Sequence, residues 1–174
     1  MSATTSAMPS VAIRPVQPAD QTELSRFYAT LSDDSRYARF LSTMHGITDG
    51  AAVTFCGPDH EHREGLVATY GTSDGRERIV GHLCLDPVGD GTFEMAVAVA
   101  DIWRGRGIGR RLLGDAIDWA RQHGIVRLRA TMLATNGPVI ALIRSTGCRV
   151  VLCEPDGGVI EASIEIGSPA NAAA

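Results

Sequence analysis

Three glycines and four arginines are concentrated in a short segment, from Trp103 to Leu113. An apolar alternating run ending at Val99 precedes the segment, and an amphipathic helical pattern follows it. The glycines therefore lie at a predicted helix N-terminus, where backbone N–H groups lack intrahelical partners and the helix dipole is positive. Such a turn binds phosphate through main-chain donors, and glycines keep side chains away from the ligand. The segment is predicted to bind a pyrophosphate group.

The glycine spacing argues against two common phosphate-binding motifs. A dinucleotide-binding turn requires Gly-x-Gly-x-x-Gly, but counting from Gly105 the third glycine falls one place early, at Gly109, and Arg110 stands in its place. The next predicted strand, 126–133, also lacks the acidic residue that binds a ribose. A P-loop requires Gly-Lys-Ser or Gly-Lys-Thr, and neither tripeptide occurs in the chain.

What the segment matches is Arg-x-x-Gly-x-Gly, which resembles the acetyl-CoA pyrophosphate loop of the GNAT family of N-acyltransferases. A second segment has the spacing of the family's next conserved helix, Asn-x-x-Ala-x-x-Leu-Tyr-x-x-x-Gly-Phe; its matching residues are Asn136, Val139, Leu142, Ile143, Gly147 and Cys148. The resemblance implies that acetyl-CoA is the acyl donor and that Asn136 lies near its pantetheine and caps that helix. It also implies a set of pyrophosphate-binding residues: Arg104, Gly105, Arg106, Gly107, Ile108, Gly109 and Arg110.

The same resemblance implies the GNAT fold, an α/β architecture. This fold has a mixed, mostly antiparallel sheet of about seven strands, a splayed central strand and about four helices. The splay implies that main-chain groups of Val97 and Val99 bind pantetheine as an added strand, and that the backbone near Val97 is the donor for the thioester carbonyl. Hydrophobic periodicity predicts strands at 11–16, 66–70, 78–85, 93–99, 126–133, 148–153 and 158–165. It predicts helices from Pro18, from Ser32, at 107–123 and at 137–146, with a short helical piece near 50–55.

Amine acyl transfer from a thioester needs a base that takes the proton of the nucleophile. Glu94 lies on the predicted central strand between Phe93 and Met95, and such apolar neighbours make a carboxylate a stronger proton acceptor. The stretch from Phe93 to Val97 resembles that of the bacterial Pat-type protein lysine acetyltransferases, a GNAT subfamily with a catalytic glutamate at this position. We therefore predict that Glu94 is the general base, acting directly or through water. A strand glutamate on a solvated face is the alternative.

An early segment strengthens the link to this subfamily. Residues 31–40 resemble its Leu-Ser-x-x-Ser-Arg-Tyr-x-Arg-Phe helix, with Ser32 as the predicted N-cap. Tyr37, Phe40 and Leu41 are predicted to face the core. In GNAT folds this region borders the acceptor cleft, which implies that Arg36 or Arg39 contacts substrate; solvated arginines on a capped surface helix are the alternative.

The chain departs from the family where the leaving group is protonated. Many GNAT enzymes have a tyrosine at the position occupied here by Ile143, and no replacement is evident nearby. A thiolate whose thiol has a pKa of about 8.5 is a tolerable leaving group near neutral pH, so water can protonate it. The leading prediction is acetyl transfer to a protein lysine in a ternary complex. A small-amine acceptor, or a non-catalytic acyl-CoA-binding module, remains open.

Length and composition limit the possible partners. A chain of 174 residues accommodates one domain, expected over 11–166, with a disordered leader at 1–10 and a disordered tail at 167–174. A net charge of −4 argues against nucleic-acid and anionic-membrane partners. No apolar run of membrane-spanning length and no signal peptide is evident, so a cytoplasmic location is expected. Either a monomer or a homodimer is compatible with the sequence.

One loop cluster raises the question of a metal site. Cys56, His60 and His62 are close in sequence, and thiolate and imidazole ligands suit zinc. Three candidate ligands on an irregular loop have no regular structure to orient them, so we predict no metal site. Cys84 and Cys148 are predicted to be small buried residues in a reducing compartment.

Overall fold

The computed structural model describes residues 9–167, so the predicted leader and tail lie almost wholly outside the described residues. A single seven-stranded sheet, in the order β1-β2-β3-β4-β5-β7-β6, organises this part of the chain. Every neighbouring pair is antiparallel except β4 and β5. The mixed, mostly antiparallel sheet predicted from the sequence is confirmed. Its strands are β1 (Ala12–Pro15), β2 (Glu64–Gly71), β3 (Glu77–Gly89), β4 (Thr92–Val99), β5 (Arg127–Leu133), β6 (Arg149–Leu152) and β7 (Val159–Glu165).

The described residues form five α-helices, one more than the approximate number predicted. They are α1 (Gln21–Thr30), α2 (Asp33–Phe40), α3 (Asp49–Phe55), α4 (Ile108–Gln122) and α5 (Gly137–Arg144). Short 3-10 turns at Pro18–Asp20 and Asp101–Trp103 precede α1 and α4. The additional helix is α3, which the sequence indicated only as a helical piece in a long loop.

Two apolar cores lie on opposite faces of the sheet. The larger core buries the inner side of α4, including Leu112 and Leu113, against the central strands, and Ile143 of α5 joins it. The smaller core packs Leu24 and Phe27 of α1 on the other face. The apolar positions of α4 recur at helical spacing, which is why one side of this helix is buried.

Strand β4 separates from β5 after a very short contact. It pairs with β3 along its length, but with β5 only from Thr92 to Glu94. The N–H of Ala100 donates to the carbonyl of Val80 on β3, at 2.8 Å. Because backbone groups alternate in direction along a strand, those of Val97 and Val99 point away from β3, toward the open side. The predicted splay of the central strand is therefore confirmed.

Helix α2 begins as predicted but buries a different side. The Ser32 side chain accepts a hydrogen bond from the backbone N–H of Ser35, so the predicted N-cap is confirmed. Tyr37 was expected in the core, and this was wrong: it is 43% exposed. The inner face of this short helix instead carries Ser35 and Arg36, because α2 borders the opening in the sheet as well as the apolar core.

Candidate active site

The separation of β4 from β5 opens a cleft of about 860 Å³. Its walls are β4 residues 95–99, β5 residues 130–133, the N-terminal part of α4, and faces of α2 and α5. Of the residues predicted to bind the donor, the cleft is lined by Val97, Val99, Arg104, Gly105, Gly107, Ile108, Gly109, Arg110 and Asn136. The structure therefore brings most of this predicted set together. Arg106 does not line the cleft and lies near the ring of Trp103.

The glycine turn leaves space for a ligand at the start of α4. Gly107 is the N-cap, with a left-handed φ of 76°, and Gly105 has a φ of 70°. A Cβ atom at either position would meet no atom within 4 Å, whereas one at Gly109 would lie 3.3 Å from Leu142. The helix N-terminus thus has main-chain donors, no capping side chain and free space in front of it. These properties fit a pyrophosphate group.

Two of the four arginines near the turn are held by the protein itself. Arg104 donates to Oγ of Ser35 at 2.8 Å, which links the turn to α2. Arg111 points elsewhere and donates to the carbonyl of Val11 at 2.9 Å. Arg110 lines the cleft and is exposed, so its charge is available to an anionic ligand.

Asp101 connects the end of β4 to α2. It accepts hydrogen bonds from the backbone and hydroxyl of Ser32, at 2.9 and 3.1 Å, and from the hydroxyl of Ser35. Burial opposes ionisation of this carboxyl, but the hydrogen bonds from Ser35 and Ser32 outweigh it and hold its pKa below the usual value. The network fixes α2 against the loop that carries Arg104.

The second motif helix is capped as predicted. The side chain of Asn136 accepts a hydrogen bond from the N–H of Val139, at 3.3 Å. Ile143 is fully buried in the larger core, so its position does not face the cleft. Within residues 9–167, no tyrosine lines the cleft.

Glu94 is the last β4 residue paired with β5, at the point where the sheet splits. Its Oε2 accepts a hydrogen bond from Nε of Arg129 at 2.6 Å, and its Oε1 accepts one from Oγ1 of Thr131 at 3.0 Å. The expected apolar setting was wrong: the side chain is 29% exposed and forms an ion pair. Phe93 and Met95 point to the opposite face of the strand, since successive side chains alternate.

The sheet face around Glu94 is accessible to solvent. Arg129 lies between two carboxylates, with Nε 3.6 Å from Oε2 of Glu161. Buried and accessible residues alternate along β5 and β7, so one face of this half of the sheet is packed and the other is open. Glu94 therefore combines a proton-accepting group with free access for an acceptor.

Three residues of this site were not predicted from the sequence. Arg129 and Thr131 contact Glu94 from a strand that comes 35 and 37 positions later in the chain. Polar residues alternating with apolar ones along β5 indicated an accessible face but not what it faced. Asp101 was missed because nothing in a short loop indicates that a carboxylate caps a helix far away in sequence.

The cysteine and histidine loop has a structural role. His60 contacts Glu64 at 2.6 Å, His62 contacts Asp59 at 2.9 Å, and Trp119 donates to the carbonyl of His60. Across residues 9–167, no group of three metal-ligating side chains is found. Cys148 was expected to be buried and is only half-buried, while Cys84 is buried as predicted.

A split sheet with a glycine turn at the start of a central helix is typical of a cleft that binds acyl-CoA. Comparison with known proteins leads to the same class. The acetyltransferase (GNAT) family model matches residues 24–147. Acetyltransferase PA5475 of Pseudomonas aeruginosa is 28% identical over 130 residues, covering 72% of this chain and 68% of its own length. The GNAT domain of S. lividans PAT superposes with a TM-score of 0.78 and 27% identity, covering 89% of this chain and 90% of that one.

A further solved structure extends the comparison of folds. The yncA protein of Salmonella typhimurium, solved with its cofactor acetyl-CoA, has a TM-score of 0.69 and 21% identity, with 94% of this chain and 96% of that one covered. The chain therefore belongs to the GNAT family and is an acyl-CoA-dependent N-acetyltransferase with acetyl-CoA as its donor. Among residues 9–167, no helix combines the length and apolar character of a membrane span.

Proposed function

We propose that the protein transfers the acetyl group of acetyl-CoA to a lysine side chain of a protein, with Glu94 as general base. The observation that carries this proposal is the position of Glu94, at the point where β4 leaves β5 and on an accessible sheet face. A carboxylate at that point can meet an amine that approaches from the face while the thioester lies in the cleft.

The proposed reaction is direct attack in a ternary complex. Glu94 accepts the proton of the acceptor ammonium, directly or through water, and the neutral amine attacks the thioester carbonyl carbon. The new C–N bond forms and the C–S bond breaks; the attacking nitrogen loses its second proton to water, and the CoA thiolate takes a proton from water, so the two transfers balance. Main-chain groups of Val97, which face the open side of β4, hold the thioester carbonyl oxygen as it gains negative charge.

Arg129 and Thr131 position the proposed base. Their hydrogen bonds hold both carboxylate oxygens of Glu94, which fixes the side chain toward the split in the sheet.

Donor binding is proposed for the residues that line the split. Main-chain groups of Val97 and Val99 pair with pantetheine, and Asn136 lies at the same wall. The turn from Arg104 to Arg110 holds the pyrophosphate, with main-chain donors of Gly107, Ile108 and Gly109 at its centre. Arg106 contributes charge from outside the cleft.

A protein acceptor is favoured by two observations. The face beside Glu94 is accessible along β5 and β7, so a folded partner can cover it, whereas a small amine is usually held in an enclosed pocket. The GNAT domain of PAT, which resembles this chain at 27% identity, belongs to the subfamily whose early helix and strand motifs occur here.

The test is an acceptor panel with acetyl-CoA. Lysine-bearing proteins, polyamines and free amino acids are each incubated with wild type, Glu94→Gln and Glu161→Gln, and CoA release is followed. The chain contains no lysine, because all 16 Lys plus Arg residues are arginines, so Nε-acetyl-lysine detected in the assay can come only from the acceptor. Glu161→Gln is the matched control, a neighbouring carboxylate on the same face.

The proposal expects CoA release only with a protein acceptor and a loss of about 100-fold or more in kcat for Glu94→Gln, against a small effect for Glu161→Gln. Release with small amines alone would overturn the acceptor assignment. Full activity of Glu94→Gln would overturn the base. Binding of acetyl-CoA without any turnover would indicate a regulatory acyl-CoA-binding module.

A further inference from the structure

Arg39 is a cation on the cleft wall that the proposed chemistry does not use. It lies in the last turn of α2, one turn after Ser35, and lines the cleft together with Ala96 and Ala98 of β4. Its Nη2 donates a hydrogen bond to Sγ of Cys84 at 3.4 Å, and Cys84 is the cross-strand neighbour of Ala96. The guanidinium therefore lies over the stretch of β4 where the sheet is split.

Arg39 has no carboxylate in direct contact in the part of the chain from 9 to 167. No carboxylate there forms a salt bridge with it, and its Nε atom is buried without a hydrogen-bond partner. Asp86, two residues from Cys84 along β3, is engaged by Arg63 at 2.6 Å. A guanidinium does not lose its proton in proteins, so the cleft wall carries a full positive charge at this point.

The polar side chains around Arg39 are neutral at pH 7. Burial raises the pKa of the Cys84 thiol and raises that of Tyr28 to about 12. Burial, and then the charge of Arg39, lower the pKa of His82 to about 3. The Tyr28 hydroxyl and Nδ1 of His82 are already paired with each other at 2.8 Å. None of these groups supplies the negative charge that Arg39 lacks.

The other arginine of the same helix has protein partners for its donors. Arg36, one turn earlier, donates to the carbonyls of Ala29, Leu31 and Met44 and pairs with Asp33. Arg39 instead stacks near the rings of Phe40 and Phe55, at 4.9 and 5.7 Å, contacts that hold the guanidinium in place without satisfying its donors. Leaving a buried charge unpaired costs free energy, which a substrate group can recover.

We propose that Arg39 binds a carboxylate of a substrate, carried either by the acyl chain of the donor or by the acceptor next to its amine. The planar guanidinium carries five N–H donors in a fixed geometry, and a carboxylate accepts two of them in parallel. The small side chains of Ala96 and Ala98 leave the adjacent wall open. The inference rests on the proposed acyl transfer and adds the substrate class that the cleft selects.

The test compares charged and neutral substrates of matched size. One arm uses succinyl-CoA against butyryl-CoA with a fixed acceptor. The other arm uses lysine peptides with Asp or Asn beside the lysine and acetyl-CoA as donor. Wild type, Arg39→Gln, Arg39→Lys and the control Arg76→Gln, an exposed hairpin arginine, are measured in both arms. Equilibrium binding of the two acyl-CoA esters is measured as well, so that the result does not depend on turnover.

The expected result is at least a tenfold preference of wild type for the charged substrate in one arm, which identifies the source of the carboxylate. Arg39→Gln loses that preference, Arg39→Lys keeps part of it, and Arg76→Gln keeps all of it. No preference in either arm, or an equal loss with charged and neutral substrates, overturns the proposal. A binding preference that survives in Glu94→Gln while turnover fails separates this site from the proposed base.

Discussion

The two ends of the cleft are built in different ways. At the donor end, the turn before α4 offers main-chain N–H groups, and its glycines act by having no side chain. At the proposed acceptor end, side chains from distant segments meet: Glu94 with Arg129 on the sheet face beside the cleft, and Arg39 with Cys84. A site formed by backbone groups can be recognised from a contiguous sequence motif. A site formed by side chains from distant segments can be recognised only in the folded structure.

We therefore expect substitutions at the two ends to have separate effects on donor binding and on the chemical step. A change in the turn should weaken donor binding and leave the chemistry intact, and a change on the open face should do the reverse. Each of the following experiments tests one side of that separation.

Among these experiments, the largest effect is expected at the donor end, for Gly107→Ala. A side chain at a left-handed φ of 76° strains the turn and displaces the N–H groups that face the phosphates, so acetyl-CoA should bind roughly twentyfold more weakly. Isothermal titration measures this affinity. The control is Gly114→Ala inside the same helix, where an added Cβ meets no atom within 4 Å; equal weakening in both variants would show that strain at the turn is not the cause.

The second-largest effect is expected on the open sheet face, for Arg129→Gln. Losing the group that orients Glu94 should lower kcat by about tenfold, with the affinity for acetyl-CoA unchanged. Arg149→Gln, which removes an exposed partner of Glu165 on the same half-sheet, is the control and should change neither quantity.

A third experiment tests whether His82, one of the neutral groups around Arg39, makes the free energy of unfolding depend on pH. His82 has a pKa of about 3 in the folded protein, against a usual value near 6.5, so below about pH 6 the unfolded chain binds a proton that the folded protein does not. The free energy of unfolding should therefore fall with decreasing pH, and His82→Gln should reduce that slope by about 1.4 kcal/mol per pH unit between pH 6 and 4. Urea titrations at several pH values measure it; parallel curves for the two proteins would refute the assignment.

The smallest effect is expected for the cap of α5. Asn136→Ala removes the acceptor for the N–H of Val139 and should lower the free energy of unfolding by about 1 kcal/mol, whereas Asn136→Asp restores an oxygen acceptor and most of the stability. Thermal unfolding compares the three proteins. If alanine and aspartate behave alike, Asn136 does not act through its cap.

Most of the fold was predicted correctly from the sequence. The strands fall where alternation predicted them, and the splay, which was inferred from family resemblance, agrees with the three-residue pairing of β4 and β5. The donor turn was predicted for a physical reason, since glycines at a helix start leave the free main-chain N–H groups open to an anion. The capping roles of Ser32 and Asn136 were also predicted, because capping depends on neighbours in sequence.

The acceptor end was predicted only in part. Glu94 was selected for its apolar neighbours, but those neighbours point to the other face, and its actual partners come from β5. Arg36 and Arg39 could not be separated from the sequence, since the difference between them is what each one contacts. Tyr37 was assigned to the core because aromatic periodicity does not reveal that a helix covers an opening.

The three-residue contact between β4 and β5 has a consequence for how the molecule responds to its donor. It divides the hydrogen-bond ladder into two half-sheets, four strands on one side and three on the other, joined by few backbone bonds. A ligand that pairs along the free edge of β4 restores continuity between them. The substrate then serves as a missing strand, and occupancy of the cleft becomes part of the folding cooperativity of the whole protein.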